Sequence, residues 1–335
     1  MSSQPLFSIV TPSFNQVRYL EDAMRSVLEQ DYPMLEYFVV DGGSTDGSVE
    51  VIRRLAIEYQ PRLKWWVSEK DLGQADAINK GFRKAGGEII AWLNSDDLYL
   101  EGALEKAAAC FNQDPDLGML YSDVISVNEN DEIINIMRYR QWGLADLMAF
   151  NIIGQPGVFM RRCALESAGL LDTSYHMLLD HHLWLRIASN QKISHLDGCL
   201  AAARFHAQAK NIAQAEKFSR EAFRLLEWMR TSGEMADEFQ SNRKKIIAGA
   251  HSFSARYLLD AGLHREAARD YLQCLKFNPA TAFKSFHRFI YAFISLILPI
   301  DRLKRLFLAL KKKRAVYNGA GVLQKWWNRS RNESA

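Results

Sequence analysis

The amino-acid sequence predicts an α/β protein with a mostly parallel, doubly wound sheet sandwiched by helices. Short apolar runs alternate with longer segments of helical periodicity through the first hundred residues. The predicted strands are 7–11, 37–40, 64–67 and 89–93, and the predicted helices are 18–30, 49–58 and 75–84. One helix separates each strand from the next, and such β-α-β successions build parallel sheets covered by helices.

The composition is ordinary for a globular protein, with 48% hydrophobic and 24% charged residues and a net charge of +3. A chain of 335 residues is long enough for one large domain or two. The four cysteines are scattered and form no C-x-x-C pair, which favours reduced thiols over disulfides or a zinc site. We find neither a secretory signal pattern nor an apolar run long enough to span a bilayer. The sequence therefore predicts a cytoplasmic protein.

Acidic residues follow three successive predicted strands. Asp41 opens the segment D-G-G-S-T-D-G-S, Asp71 follows the third strand, and Asp96 and Asp97 follow the fourth. The glycine-rich turn suits a phosphate or nucleotide, although glycines alone can simply make a tight turn. Neither G-x-G-x-x-G nor G-K-[ST] is present, so a dinucleotide fold or a P-loop is not supported. Because ligands of open α/β sheets bind beyond the carboxyl ends of strands, we expect one common cleft.

The adjacent carboxylates of Asp96 and Asp97 indicate a divalent metal site. Two neighbouring carboxylates repel each other unless a cation lies between them, and a cation that also holds a phosphate would remove this conflict. The alternative is a solvated turn or a helix cap, where aspartate is common.

Four segments together resemble a family 2 glycosyltransferase with the GT-A fold. They are T-P-S-F-N-Q, V-V-D-G-G-S-T-D-G-S, S-E-K-D-L-G-Q-A-D-A-I-N-K-G-F and A-W-L-N-S-D-D, and the resemblance covers about residues 5 to 215. It implies a nucleotide-sugar site in which the first strand end and Asp41 hold the nucleoside. The residues that it assigns to this site are Thr11, Pro12, Ser13, Asn15, Asp41, Asp71, Gly73, Gln74, Asn94, Ser95, Asp96, Arg204 and His206.

The resemblance also implies a cofactor, Mn²⁺ or Mg²⁺. The family's metal motif is D-x-D, and this chain has Asn94 at the position of the first aspartate. An amide keeps an oxygen ligand but loses a charge, so the metal is assigned to Asp96 and then Asp97. His206, in a stretch that resembles the family's R-x-H segment, is a further candidate ligand, and Lys210 nearby is a candidate phosphate contact.

Asp180 is the candidate catalytic base. It begins a predicted helix in L-D-H-H-L-W-L-R-I-A, which resembles the family pattern E-D-x-D-L-W-L-R-L-A and keeps only its second acid. The alternative is a carboxylate that caps the helix. We interpret His181 and His182 as packing residues or acceptor contacts. Gln155 is a candidate for the acceptor pocket, or part of a proline-fixed loop.

The α/β pattern stops near residue 225, which predicts a catalytic domain at 1–225 and a helical region at 226–335. Residues 289–300 are apolar but too short to span a bilayer. Residues 301–314 form a basic amphipathic pattern, which suits either a helix lying on an anionic membrane or a helix docked on the protein.

Together these features predict an inverting transferase that uses a nucleotide-sugar, expected to be a UDP-sugar. The expected acceptor is a hydroxyl of a glycan or lipid-linked molecule in cell-surface polysaccharide synthesis, at the inner face of the membrane, with no nucleic-acid partner. Two alternatives stay open. A sugar nucleotidyltransferase also needs paired carboxylates, and a non-catalytic nucleotide-binding scaffold would explain Asn94 and the missing acids around Asp180.

Overall fold

The computed structural model describes residues 4–206 and 214–296. These residues form two compact units. The first unit comprises residues 4–141 together with Ile153–Phe205, and the second comprises Trp142–Ile152 together with the described residues from His206 onward.

The first unit is an α/β structure. Its strands are β1 (Phe7–Ser13), β2 (Leu35–Asp41), β3 (Leu63–Ser68), β4 (Ile89–Trp92), β5 (Leu98–Tyr99), β6 (Leu117–Asn128), β7 (Ile133–Met137), β8 (Val158–Arg161) and β9 (Lys192–Phe205). Its helices are α1 (Val17–Leu28), α2 (Ser48–Glu58), α3 (Gln74–Phe82), α4 (Ala103–Gln113), α6 (Arg162–Ala168) and α7 (Leu179–Asn190).

The described strands form one sheet of nine strands in the order β3-β2-β1-β4-β8-β6-β9-β5, with β7 paired to β6. The β3-β2-β1-β4 half is parallel throughout, as the β-α-β pattern predicts. In the other half β6 and β9 are parallel, whereas β5, β7 and β8 pair in antiparallel fashion. The predicted α/β fold class, with helices beside the sheet and a helical region after it, is confirmed.

The register of the parallel strands brings their carboxyl ends to one edge. Ser13 pairs with Asp41, and Asp41 pairs with Ser68. The N–H of Leu93 donates to the carbonyl of Val10, so β4 ends beside β1. Both faces of β1 and nearly all of β2 are buried, which explains why these strands read as continuous apolar runs. Polar residues are therefore concentrated in the loops that follow the strands.

The second unit is helical. Its helices are α5 (Leu144–Met148), α8 (Ala215–Thr231), α9 (Ala236–Asp260), α10 (His264–Phe277), α11 (Pro279–Lys284) and α12 (Phe286–Ile294). Small residues such as Ala255 and Ala267 pack with Leu259 and Tyr271 in its core. No helix in the described part of the chain is both long and apolar enough to cross a membrane. The basic amphipathic segment at 301–314 lies outside the described residues.

Candidate active site

Asp41 ends β2, and its carboxylate holds the loop that follows. Oδ2 accepts hydrogen bonds from the backbone N–H of Gly43 at 3.1 Å and of Ser44 at 2.8 Å. The hydroxyl of Ser68, at the end of β3, donates to the same oxygen at 2.7 Å, and the Ser44 hydroxyl donates to Oδ1 at 2.5 Å. Asp41 is fully buried. Its charge is thus compensated by several donors, and the loop has a fixed shape.

Hydrogen bonds tie the loop after β1 to the loop after β2. The N–H of Asn15 donates to the Ser44 hydroxyl at 2.8 Å, and Asn15 Oδ1 accepts from the N–H of Thr45 at 2.9 Å. Asp46 Oδ2 accepts from the N–H of Val17 at 2.9 Å, at the start of α1. These bonds join the two segments that the resemblance assigns to the nucleoside.

The three β1 residues assigned to the nucleoside are all buried. Thr11 is fully buried, and its hydroxyl accepts a hydrogen bond from the Tyr37 hydroxyl at 2.7 Å. Ser13 is 4% exposed, and Pro12 is also buried. Because their side chains are not exposed, these residues could contact a nucleoside only where β1 ends.

Phe14, which no sequence pattern singles out, is 60% exposed beside this edge. A Cβ atom on Gly42 would lie 3.3 Å from the Phe14 ring and 2.8 Å from Oδ2 of Asp71, so a side chain at position 42 would force the Asp71 carboxylate to move. The loop after β3 therefore approaches the loop after β2 closely. Asp71 Oδ1 accepts from the N–H of Gly73 at 2.8 Å, which shapes the turn into α3. An exposed ring in such a polar edge is suited to stacking on a planar base.

Asn94 joins several elements through its side-chain amide. Its Oδ1 accepts a hydrogen bond from Gln74 Nε2 at 2.7 Å. Its Nδ2 donates to Asp97 Oδ2 at 3.0 Å and to Gln155 Oε1 at 3.0 Å. Gln155 in turn donates to the carbonyl of Trp92 at 2.7 Å. The turn after β4 is thereby fixed to α3 and to the short 3₁₀ turn before β8.

Asp97 is 6% exposed, whereas its neighbour Asp96 is half-buried. Burial raises the pKa of the Asp97 carboxyl well above its usual range, and the neighbouring Asp96 charge raises it further. Hydrogen bonds from the Arg204 N–H, at 3.1 Å, and from the Asn94 amide act in the opposite direction. Ser95, between these residues, is also buried.

The Arg204 side chain is 1% exposed, and its guanidinium forms hydrogen bonds with other residues of the protein. Its Nε donates to Asp131 Oδ1 at 2.7 Å, and its terminal nitrogens donate to Asp22 Oδ2 and to the Asp96 carbonyl, each at 3.3 Å. The guanidinium also lies over the Tyr19 ring, 4.9 Å from its centroid. Arg204 therefore connects α1 and the β6–β7 turn to the backbone of the Ser95–Asp96–Asp97 turn.

The residues around Asp96 fit a Mg²⁺ or Mn²⁺ site that a ligand completes. Such ions take oxygen ligands and are usually held by one or two carboxylates together with substrate phosphates. Asp96 supplies a half-buried carboxylate, whereas both oxygens of Asp97 already accept hydrogen bonds. Within residues 4–206 and 214–296, no group of three or more His, Cys, Asp or Glu side chains is arranged to hold a metal. Asp96 is therefore the better candidate ligand.

Asp180 is the second residue of α7 and is half-buried. Its Oδ1 accepts the N–H of His181 at 2.7 Å. Trp184, one turn further along α7, stacks on Trp92 at a centroid separation of 5.2 Å, which fixes α7 against the strand that leads to Asn94. His181 and His182 are buried, and the His182 ring lies 4.4 Å from that of Tyr175.

Asp123, another acid of this unit, is engaged in β6. Its Oδ1 lies 2.9 Å from Nε2 of His195 and accepts the N–H of Tyr139 at 2.8 Å. Both side chains of the pair are less than a tenth exposed. His206 is buried and belongs to the helical unit. Lys210 lies outside the described residues.

Parallel strands that end in one polar edge, with paired carboxylates on that edge, are typical of α/β proteins that bind a ligand at their strand ends. The model of Glycosyl transferase family 2 matches residues 8–164, which run from β1 to β8. The N-terminal α/β part of the chain therefore belongs to glycosyltransferase family 2. The resemblance found in the sequence is confirmed.

Curated relatives match this same part of the chain. A Bacillus subtilis glycosyltransferase named for teichuronic acid biosynthesis, TuaG, is 38% identical over 103 residues, which are 31% of this chain and 40% of TuaG. The O-antigen biosynthesis protein RfbC of Myxococcus xanthus is 26% identical over 219 residues, 65% of this chain and 17% of that protein. The chain thus spans about two fifths of the length of TuaG.

Solved structures have a similar fold. A mannosyltransferase from Pyrobaculum calidifontis, in complex with GDP-Man and Mn²⁺, has a TM-score of 0.60 at 20% identity. The alignment covers 92% of this chain and 84% of the mannosyltransferase chain. S. aureus TarS has a TM-score of 0.54 at 16% identity and covers 85% of this chain and 54% of its own. At these identities the likeness establishes the fold alone.

Proposed function

We propose that the chain is an inverting glycosyltransferase that moves a sugar from a nucleotide-sugar to a hydroxyl of a glycan or lipid-linked acceptor in polysaccharide biosynthesis. One observation carries the proposal. The segments that resemble the family, which are far apart in the sequence, meet at one edge of the sheet: the Asp71 loop lies against Gly42, and Gln74 is bonded to Asn94.

The donor that we propose is a UDP-sugar. Its nucleoside would lie at the ends of β1 and β2, between the Asn15 and Asp41 loops, with Phe14 placed to stack on the base. One structure of S. aureus TarS is a complex with UDP-GlcNAc. A divalent cation at Asp96 would stabilise negative charge on the departing diphosphate.

The proposed base is Asp180. It would take the proton of the acceptor hydroxyl as that oxygen attacks the anomeric carbon from the face opposite the diphosphate. The bond from the anomeric carbon to the diphosphate breaks in the same displacement, so the configuration inverts. The start of α7 suits this role because its backbone N–H groups favour a negative charge on Asp180.

The sugar nucleotidyltransferase alternative makes a different product. It would release pyrophosphate from a nucleoside triphosphate and a sugar phosphate, whereas a glycosyltransferase releases a nucleoside diphosphate from a nucleotide-sugar. We also propose that the enzyme works at the inner face of the cytoplasmic membrane, with the basic segment 301–314 facing anionic lipid.

The test is release of nucleoside diphosphate from a panel of nucleotide-sugars with Mn²⁺, comparing wild type with Asp180→Asn. The variant keeps the size of the side chain but cannot take the proton. We expect turnover to fall about 100-fold or more, while nucleotide-sugar affinity stays the same. Asp116→Asn, at an exposed position, is the matched control and should retain full activity.

Retention of most activity by Asp180→Asn would assign Asp180 to the helix terminus alone. Pyrophosphate formation from UTP and a sugar phosphate would favour the nucleotidyltransferase. Nucleotide-sugar binding without turnover of any member of the panel, with or without candidate glycan acceptors, would favour the non-catalytic scaffold.

A further inference from the structure

A cavity of about 200 Å³ lies within the helical unit. Its walls come from residues 149–151, from α9 and from α11 with the residue after it. The cavity is lined by three cationic side chains and several small polar ones. The cations are Lys245, Arg256 and Lys284, and the hydroxyl-bearing residues are Ser252, Thr281 and Ser285. Among the residues that the structure describes, no carboxylate side chain lines it.

The charges around this cavity are only partly compensated. Lys245 Nζ lies 2.9 Å from Asp146 Oδ1. Within the part of the chain that the structure describes, neither Arg256 nor Lys284 has a carboxylate within ion-pair distance, although the charge of Lys284 is near enough to help lower the pKa of Asp146. The Arg256 guanidinium lies over the Phe253 ring, 5.4 Å from its centroid, which restrains the side chain. Guanidinium and ammonium groups that line one cavity can both bind phosphate, the first through two parallel hydrogen bonds and the second as a point charge.

The wall opposite α9 is held in an unusual backbone conformation. Phe150 has a φ of 60°, which an aromatic residue rarely adopts, and its ring packs on Phe253 at 5.5 Å. A Cβ atom on Gly249 would lie 2.2 Å from the carbonyl oxygen of Ala149, so α9 can approach this loop only through glycine. Asn151 Nδ2 donates to the Asp146 carbonyl at 2.8 Å and closes the loop. Such local strain is concentrated at functional sites.

We propose that this cavity binds a phosphate group, with Arg256 and Lys284 as its principal contacts. The hydroxyls of Ser252, Thr281 and Ser285 line the same space and can donate to further phosphate oxygens. Phe150 and Phe253 give the cavity an apolar side that suits an organic group attached to the phosphate. All the residues that line this cavity belong to the helical unit, and none of them is assigned to the nucleotide-sugar, so the inference goes beyond the proposed function.

The experiment is hydrogen–deuterium exchange of the full chain with and without inorganic phosphate, at constant ionic strength set with chloride. Saturating UDP and Mn²⁺ are present throughout to occupy the other site. We expect phosphate to protect peptides that cover residues 145–152, 245–256 and 281–285. Lys284→Gln and Arg256→Gln should each weaken phosphate binding about 10-fold or more, the scale of losing a charge-assisted hydrogen bond. Lys276→Gln, at an exposed position of α10, is the control and should bind like wild type.

Lys284→Arg keeps the charge and should restore the protection, which separates binding from misfolding. Vesicles of phosphatidylglycerol, compared with phosphatidylcholine, distinguish the source of the phosphate. Protection by free phosphate but not by the anionic vesicles assigns the site to a soluble phosphate compound. Protection by both that is lost in Lys284→Gln assigns it to lipid headgroups as well. Absence of protection at millimolar phosphate, or equal protection in Lys284→Gln and wild type, would overturn the proposal.

Discussion

Replacement of Asn94 by aspartate tests the hydrogen-bond network at the candidate metal site. The substitution restores the family's D-x-D motif and preserves the shape of the side chain. It removes the Nδ2 donor, however, which serves Asp97 Oδ2 and Gln155 Oε1, each at 3.0 Å. The hydrogen bond from Gln74 would remain, because a carboxylate oxygen accepts as an amide oxygen does. Without a cation, Asn94→Asp should therefore destabilise the protein.

The size of the effect follows from the lost contacts. A partner left without its hydrogen bond in a buried site costs about 1–3 kcal/mol, and here two acceptors lose their donor. The new carboxylate also faces that of Asp97, so we expect a total of about 2–4 kcal/mol. For a domain of 150–250 residues this corresponds to a fall in Tm of roughly 4–16 °C. A divalent cation should offset most of the loss, because the third carboxylate adds a ligand and removes the repulsion.

Thermal unfolding with EDTA and with Mn²⁺ measures both effects. Asn112→Asp makes the same chemical change at an exposed position of α4 and controls for the added charge. In EDTA the Tm of Asn94→Asp should fall well below that of the control, and Mn²⁺ should raise its Tm more than it raises that of wild type. If the Tm of Asn94→Asp in EDTA stays within about 1 °C of the control, the hydrogen bonds donated by the Asn94 amide do not stabilise the fold as predicted.

Three further predictions concern the scaffold. Arg204→Lys should lower the free energy of unfolding by about 2–4 kcal/mol in urea titrations, since one ammonium cannot replace the buried contacts of the guanidinium with Asp131 and Asp22. A change below about 0.5 kcal/mol would contradict this prediction. Gly249→Ala should lower the free energy of unfolding by about 2–4 kcal/mol, because the new methyl group would overlap the Ala149 carbonyl. An unchanged urea midpoint would show that the loop around Ala149 can move to admit the methyl group. Burial raises the pKa of Asp46, but hydrogen bonds from a serine hydroxyl and backbone N–H groups outweigh it and leave the pKa lowered. The stabilisation that Asp46 gives the folded protein is therefore present above about pH 4 and is lost as the pH falls. Asp46→Asn should flatten the pH dependence of Tm below about pH 4, and an unchanged slope would argue against this role.

The parallel half of the fold could be predicted because its signals are local. Each of the first four strands is an apolar run followed at once by polar turn residues, and one helix separates each strand from the next. The antiparallel strands were harder to predict, since β5 has only two residues and pairs with β9, a hundred residues later. Nor does sequence spacing show that Trp142–Ile152 joins the helical unit.

The sequence identified Asn94 as a position where the metal motif loses a charge, but it could not show what the amide gains. Its partners Gln74 and Gln155 lie 20 and 61 residues away, and nothing in their local pattern connects them. In the folded protein the amide donates to the buried Asp97 carboxylate, whose negative charge is already disfavoured by burial and by the neighbouring Asp96 charge. Asn94 is thus chemically suited to this site when no cation is bound.

Arg204 shows the same limit of local patterns and leads to a mechanistic step. A basic residue near the end of the domain suggests a phosphate contact, yet the guanidinium is 1% exposed and bonded to Asp22 and Asp131, which lie 182 and 73 residues away in the sequence. Its backbone N–H and one terminal nitrogen reach Asp97 and the Asp96 carbonyl. Its direct role at the nucleotide stays a prediction. If a cation at Asp96 holds a diphosphate as we propose, Arg204 would influence it without touching it, because Arg204 holds the backbone of the turn that carries the Asp96 carboxylate.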